Sequence, residues 1–130
     1  MNDKVKYWVE ISEYDFETAK AMLESKRLLY VGFMCHQTIE KILKAYYVAS
    51  IKALPPYTHN LRYLAEKALL YKNFPEEQKE IIDLLQPLNI EARYPTYKDK
   101  LFKSLSFDRC TNILKETGEL LIWIQKELLK

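Results

Sequence analysis

Apolar residues recur every three to four positions along most of the chain, which is the spacing of amphipathic α-helices. The first such segment can be capped by Asn2 or Asp3, and its apolar face also holds Asp15. A carboxylate on an apolar face costs free energy unless a cation pairs with it or it lies at the solvent edge. We therefore expect Asp15 to have a partner, either Lys41 or Arg93. The apolar positions of this face are Val5, Trp8, Val9, Ile11, Phe16, Ala19, Met22 and Leu23.

Four further helices are predicted from the same spacing. Their predicted spans are residues 30–51, 59–72 and 75–87, and from Ser106 or Asp108 onward. Thr58 is the expected cap of the third helix, because a hydroxyl oxygen accepts a hydrogen bond from the first turn. Residues 91–103 are predicted to form a loop with a short broken helix. No segment alternates with a period of two, so the pattern predicts an all-α fold.

Length and composition favour one domain, residues 1–130. The hydrophobic fraction of 48% excludes intrinsic disorder, and a net charge of +2 excludes a strongly basic, histone-like binder. Only 2 of the residues are glycine, which argues against Rossmann and P-loop nucleotide sites, since both depend on glycine-rich turns.

Targeting and redox signals point to a cytoplasmic protein. The first ten residues are too charged for a signal peptide, and the longest apolar run, residues 28–35, is too short to cross a membrane. Cys35 and Cys110 are therefore expected to be buried free thiols. No spacing of histidines and cysteines suits a metal, so we predict neither a metal nor a cofactor.

A strip of polar residues follows the second helix. Gln37, Glu40 and Lys41 are spaced three and four residues apart, and Lys44 follows one turn later, so their side chains lie on one face. The simplest interpretation is a solvated helix face. The opposite side of this helix is apolar, and the strip itself also carries Phe33 and Val48. A helix that is apolar on one side and mixed on the other is expected to be central or to be shared with a partner chain.

Positive charge concentrates near the C-terminal third of the chain. Residues 93–109, called the basic segment below, contain five Lys or Arg residues against two Asp residues. Cations bind phosphate, and aromatic rings stack on bases, so this composition fits a nucleotide or RNA site as well as an ordinary surface. The candidate contacts are Arg93, Tyr94, Tyr97, Lys98 and Lys100.

Nucleophilic catalysis has little support in the sequence. No serine or cysteine lies in a recognisable nucleophile motif. Of the two histidines, His36 is expected in the core and His59 nearer to solvent.

Four short motifs in a fixed order carry a family resemblance. They are Trp8 with Tyr14-Asp15-Phe16 and Ala19, His36-Gln37-Thr38-Ile39-Glu40-Lys41 with Lys44-Ala45, Thr58-His59-Asn60-Leu61, and Ala92-Arg93-Tyr94-Pro95. This combination resembles the HEPN domain family of small, all-helical prokaryotic proteins over nearly the whole chain. The resemblance implies an up-and-down bundle of four to five helices. It also implies a homodimer that handles RNA or nucleotides in a shared cleft. Many members act with a minimal nucleotidyltransferase as a toxin–antitoxin pair.

The sequence departs from the ribonuclease members of that family at one position. Those members carry an arginine and a histidine with four to six residues between them. Arg93 matches the arginine, but Lys98, Asp99 and Lys100 stand where the histidine is expected. A lysine with an ordinary pKa near 10.4 is a poor general base at neutral pH. The departure therefore favours phosphate binding over catalysis.

Three functional hypotheses follow. The leading one is a homodimeric module that binds a nucleotide or RNA phosphate through Arg93 and works with a nucleotidyltransferase. The second is a metal-independent ribonuclease in which His59 replaces the missing base. The third is a purely structural bundle in which Arg93 pairs with Asp15 or Glu40. The homodimer is also expected because the second helix carries further apolar residues, Phe33, Met34 and Tyr47, outside its main apolar face.

Overall fold

A computed structural model describes residues 2–90 and 95–130, with the backbone alone at Tyr97. Six α-helices and no strands are found in this part of the chain. The predicted all-α bundle is therefore confirmed, with one helix more than expected. Two single turns of 3₁₀-helix, Tyr71–Asn73 and Gln86–Leu88, flank α4. The helices are α1 Asp3–Glu24, α2 Leu28–Ile51, α3 Leu61–Lys67, α4 Glu76–Leu85, α5 Pro95–Ser104 and α6 Phe107–Leu128.

The third helix is shorter than the sequence predicts. Its cap is Asn60, whose side chain accepts a hydrogen bond from the Tyr63 amide at 2.9 Å, and the prediction of Thr58 is wrong. The helix ends at Lys67 because Leu69 adopts a left-handed conformation with φ 63°. The amide of Leu70 then bonds back to the Ala65 carbonyl, and the Leu70 side chain is completely buried. Burying the Leu70 side chain after this turn thus stabilises the fold more than extending α3 along its apolar pattern would.

The prediction of a loop with a short broken helix over residues 91–103 underestimates the helix, because Pro95–Ser104 form one continuous helix, α5. Pro95 opens α5, and proline suits a first helical position because the amide hydrogen it lacks has no partner there. Leu101 packs against the core and holds the helix to the bundle. Residues 91–94 lie outside the described part of the chain.

α2 is the centre of the bundle. α1 is antiparallel to it across a short connection, and α6 begins beside it, where the Cys110 thiol lies 3.6 Å from the Leu28 carbonyl. Midway along α6, a side-chain carbon at Gly118 would lie 2.9 Å from the Phe16 ring. Glycine at this position therefore lets α1 and α6 approach closely.

The chain reverses direction after α2. Lys52 adopts a left-handed conformation with φ 61°, and α2 ends there. Residues 53–60 then return along α2, so that His59 lies beside Glu40 and His36. The returning segment therefore places the Thr58-His59-Asn60-Leu61 motif beside the motif on α2 that contains His36 and Glu40.

The apolar residues used to predict a homodimer are less exposed than expected. Phe33, Met34 and Tyr47 are only partly accessible, and Met34 and Tyr47 pack against the core. Cys35 and Cys110 are buried free thiols, as predicted, and burial raises the pKa of Cys35 to about 12. None of the described helices combines the length and hydrophobicity that crossing a bilayer requires.

Candidate functional site

The polar strip of α2 is buried, so its interpretation as a solvated face is wrong. Glu40 is only 2% exposed, and Lys44 is 7% exposed. The Glu40 carboxylate accepts a hydrogen bond from His59 Nδ1 at 2.8 Å and forms an ion pair with Lys44 Nζ at 3.1 Å. Residues of α1 and the returning segment 53–60 cover this face. We call Asp15, His36, Gln37, Glu40, Lys41, Lys44 and His59 the polar network.

The buried His36 side chain holds the returning segment through a hydrogen bond. Its Nε2 lies 3.0 Å from the His59 carbonyl oxygen, which can only accept, so Nε2 carries the hydrogen. Gln86 donates to the same carbonyl at 3.2 Å. The Gln37 amide, 3.4 Å from His36 Nδ1, donates to the unprotonated nitrogen. These bonds require a neutral ring, and burial lowers the pKa of His36 to about 4.

Asp15 pairs with Lys41, one of its two predicted partners. The Lys41 ammonium lies 3.4 Å from the Asp15 carboxylate and donates to Gln37 Oε1 at 2.8 Å. Burial raises the pKa of Asp15, since desolvation outweighs the attraction of Lys41. Lys41 therefore links α1 to the hydrogen bonds around His36.

The charge on Glu40 is stabilised despite its burial. Desolvation alone would raise its pKa, but the hydrogen bond from His59 and the charge and hydrogen bond of Lys44 outweigh it. The pKa of Glu40 is consequently below its ordinary value. The Lys44 ammonium also lies 5.4 Å from the centre of the Trp8 ring and 5.9 Å from that of Tyr57.

His59 is the accessible end of the network. Its side chain is 41% exposed, whereas the Glu40 carboxylate that holds Nδ1 is buried. Among the described residues nothing bonds to Nε2. An imidazole fixed at one nitrogen by a carboxylate can accept a proton at the other, or donate to an anion when protonated. The network therefore offers an oriented imidazole at the surface.

The basic segment is only partly described. Lys98 and Lys100 are exposed on α5, and Lys103 is exposed at its end. Arg93 and Tyr94 lie outside the described residues, as does the side chain of Tyr97. α5 contacts α2, and Phe102 lines a surface cleft together with residues 25–30. The network residues of α2 lie about two to four helical turns beyond its first residue, roughly 12–24 Å along the axis at about 1.5 Å per residue.

Sequence reasoning placed Lys44 on the polar strip, but it assigned neither Trp8 nor Tyr57 to the site. The spacing of Glu40 and Lys44 is the usable signal, because residues four apart face each other on a helix. Tyr57 gives no such signal, since its position beside Lys44 depends on the returning segment.

The neutral state of His36 makes stability depend on pH. In the unfolded chain its pKa is near the ordinary 6.5, whereas in the fold it is about 4. Between these values the unfolded chain binds a proton that the folded chain excludes, so acid favours unfolding. We expect the free energy of unfolding to fall by about 3 kcal/mol as the pH drops through this window. Urea titrations at several pH values measure this.

The matched variant is His36→Gln, which keeps a neutral donor for the His59 carbonyl. Its stability should fall less steeply between pH 6.5 and 4 than that of the wild type. Equal slopes for both proteins would show that His36 is not the group that titrates.

The sequence and the fold were compared with known proteins. The sequence matches the HEPN domain family over residues 5–128, while no curated protein matches it. The crystal structure of TT1696 from Thermus thermophilus has a similar fold, with a TM-score of 0.81 at 18% identity. The similarity covers 96% of this chain and 98% of that chain. Because the family match spans nearly all of the sequence, this protein belongs to the HEPN domain family.

Proposed function

We propose that this protein is a homodimeric module that binds the phosphates of single-stranded RNA or a nucleotide, and that it works with a minimal nucleotidyltransferase in a toxin–antitoxin system. The observation that carries the binding proposal is α5. This helix follows Arg93 after one residue and exposes three lysines, with Asp99 as its one acidic residue. Exposed cations on one short helix attract a polyanion.

The residues of the basic segment have distinct roles in this proposal. Arg93 is the phosphate anchor, because a guanidinium offers two parallel donors to one phosphate. Tyr94 and Tyr97 stack on bases or donate through their hydroxyl groups. Lys98 and Lys100 supply a positive field.

Salt-dependent RNA binding tests the proposal. We expect a fluorescent single-stranded RNA to bind with a logarithmic salt slope that grows by about 0.7 for each phosphate contact. Lys98→Ala should lower this slope by about that amount. The control is Lys115→Ala, which removes an exposed lysine from α6 outside the basic segment. Binding that is insensitive to salt, or the same slope in all three proteins, would contradict the proposal.

The homodimer interface is proposed at the corner of α2, α5 and α6. Three large apolar residues are exposed there: Tyr30 is 47%, Phe102 66% and Phe107 46% exposed. Exposed apolar patches mark interfaces, and a two-fold contact here would bring two copies of α5 together. We expect a dimeric mass in light scattering and a monomeric mass for Phe102→Glu. Ile122→Glu, at a residue 53% exposed on α6, is the control. A monomeric wild type at high micromolar concentration would remove this proposal.

The nucleotidyltransferase partner has a direct test. If the adjacent gene encodes such an enzyme, the two proteins should co-purify after co-expression. Expression of one of the two proteins should also reverse the growth arrest that the other causes. Independent elution of the two proteins would contradict the pairing.

A metal-independent ribonuclease is the second candidate function. The Glu40–His59 hydrogen bond of 2.8 Å favours it, because a buried carboxylate orients a histidine for proton transfer. RNA cleavage in the presence of a chelator, lost in His59→Ala and Arg93→Ala, would favour the enzyme over the binding module. RNA that stays intact while bound would favour the binding module. Lys98→His would restore the arginine-to-histidine spacing of the ribonuclease members and tests whether cleavage can be introduced.

A further inference from the structure

We propose that Tyr57 is a base-stacking residue, which holds a nucleobase on its exposed ring while His59 faces the sugar and phosphate of the same strand. This inference rests on the proposed function and adds a contact outside the basic segment. The ligand is a nucleotide, either free or within single-stranded RNA.

The exposure of Tyr57 is the first observation. Tyr57 is 101% exposed, more than any other large hydrophobic residue of the described chain, and the Lys44 ammonium lies over one face of its ring, which leaves the other face open. Aromatic rings stack on bases in a manner that tolerates sequence, because every base has a π-face. An open ring is therefore suited to hold a base.

The segment that carries Tyr57 is fixed at both ends. Pro55 and Pro56 precede it, and proline restricts the backbone on that side. On the other side, the His59 carbonyl accepts hydrogen bonds from His36 and Gln86. Holding the ring in place before binding lowers the entropy lost when a ligand stacks on it.

A second aromatic ring, a buried cation and an imidazole surround Tyr57. The Lys44 ammonium lies 5.9 Å from the Tyr57 ring centre and 5.4 Å from the Trp8 ring centre, so it joins two aromatic rings. The same ammonium is 3.1 Å from Glu40, whose other oxygen holds His59. Two rings, a cation and an imidazole with a free nitrogen thus meet at one corner. A base can stack on the Tyr57 ring, and a ribose hydroxyl or phosphate can bond to His59 Nε2. Lys44, which is 7% exposed and paired with Glu40, positions the rings and does not contact the ligand.

The Tyr57→Ala variant removes the stacking ring and leaves every charged group in place. We expect its affinity for a short single-stranded RNA to fall by roughly 5- to 150-fold, because stacking on one aromatic residue contributes that much. Its salt slope should equal that of the wild type, since no phosphate contact is lost. Tyr57→Phe should bind normally, and Tyr14→Ala, at a residue 73% exposed on α1, is the control. Unchanged thermal unfolding shows that the variants are folded.

A second readout uses Trp8 directly. The protein has two tryptophans, so in a Trp123→Phe background the fluorescence excited at wavelengths that tyrosine does not absorb comes from Trp8 alone. AMP should quench this fluorescence and ribose 5-phosphate should not, because only AMP carries a base. Comparing AMP with RNA shows whether a free nucleotide suffices.

The outcomes distinguish the two proposals. A wild type that binds neither RNA nor AMP overturns the proposed function and the stacking site together. If the wild type binds RNA no more tightly than the Tyr57→Ala variant, the stacking site alone is overturned. Quenching by ribose 5-phosphate equal to that by AMP also overturns it.

Discussion

Arg93→Ala is expected to reduce the affinity for single-stranded RNA by about 100-fold or more. A guanidinium makes two charge-assisted hydrogen bonds to one phosphate, each contributing about 1.5 kcal/mol or more. The lysines of α5 remain in this variant, but they act as point charges without a fixed geometry. Fluorescence anisotropy at constant salt measures the loss, and the salt slope should fall by about 0.7.

Two variants show whether geometry or charge carries the effect. Arg93→Lys keeps the charge and should recover only part of the affinity, because lysine cannot form the paired donors. Arg109→Ala removes another exposed arginine of the basic segment and should cost no more than a few-fold. Full recovery by lysine, or equal losses at both arginines, would show that the basic segment acts only through its field.

Much of the fold could be predicted from the sequence because it depends on local periodicity. The starts of α1 and α6 follow from their caps, Asn2 and Ser106, which accept hydrogen bonds from the first turn. The end of α3 did not follow, because it depends on burying Leu70 against other helices. For α5 only a short broken helix was predicted, because its polar sequence has little periodicity, and its full length depends on Leu101 packing against the core.

The candidate site was predictable only within single elements. The spacing along α2 predicts that Gln37, Glu40 and Lys41 share a face, and they do. Burial of that face depends on α1 and on residues 53–60, which no spacing within α2 reveals. The contact between Glu40 and His59 joins residues 19 apart, and it exists because the chain reverses at Lys52. Spacing within a helix therefore identifies the candidate side chains, and the path of the whole chain determines which of them are in contact.

Lys44→Met is expected to lower the free energy of unfolding by about 3 kcal/mol, because it leaves the Glu40 carboxylate buried without its ion-pair partner. The two side chains are 9% and 2% exposed, so water screens the pair little. Methionine fills a similar volume, which separates the loss of charge from a loss of packing. Urea denaturation at neutral pH measures the change.

Two comparisons assign this loss to the buried charge. Glu40→Gln in the Lys44→Met background removes the charge and keeps an oxygen for His59, so most of the stability should return. Lys6→Met breaks an exposed pair with Glu10, whose side chains are 66% and 65% exposed, and should cost less than about 1 kcal/mol. The Lys44→Met penalty should also shrink as the pH falls, because a protonated Glu40 no longer needs a cation. A penalty that is the same at acid and neutral pH would mean that Lys44 stabilises the bundle by packing on Trp8 instead.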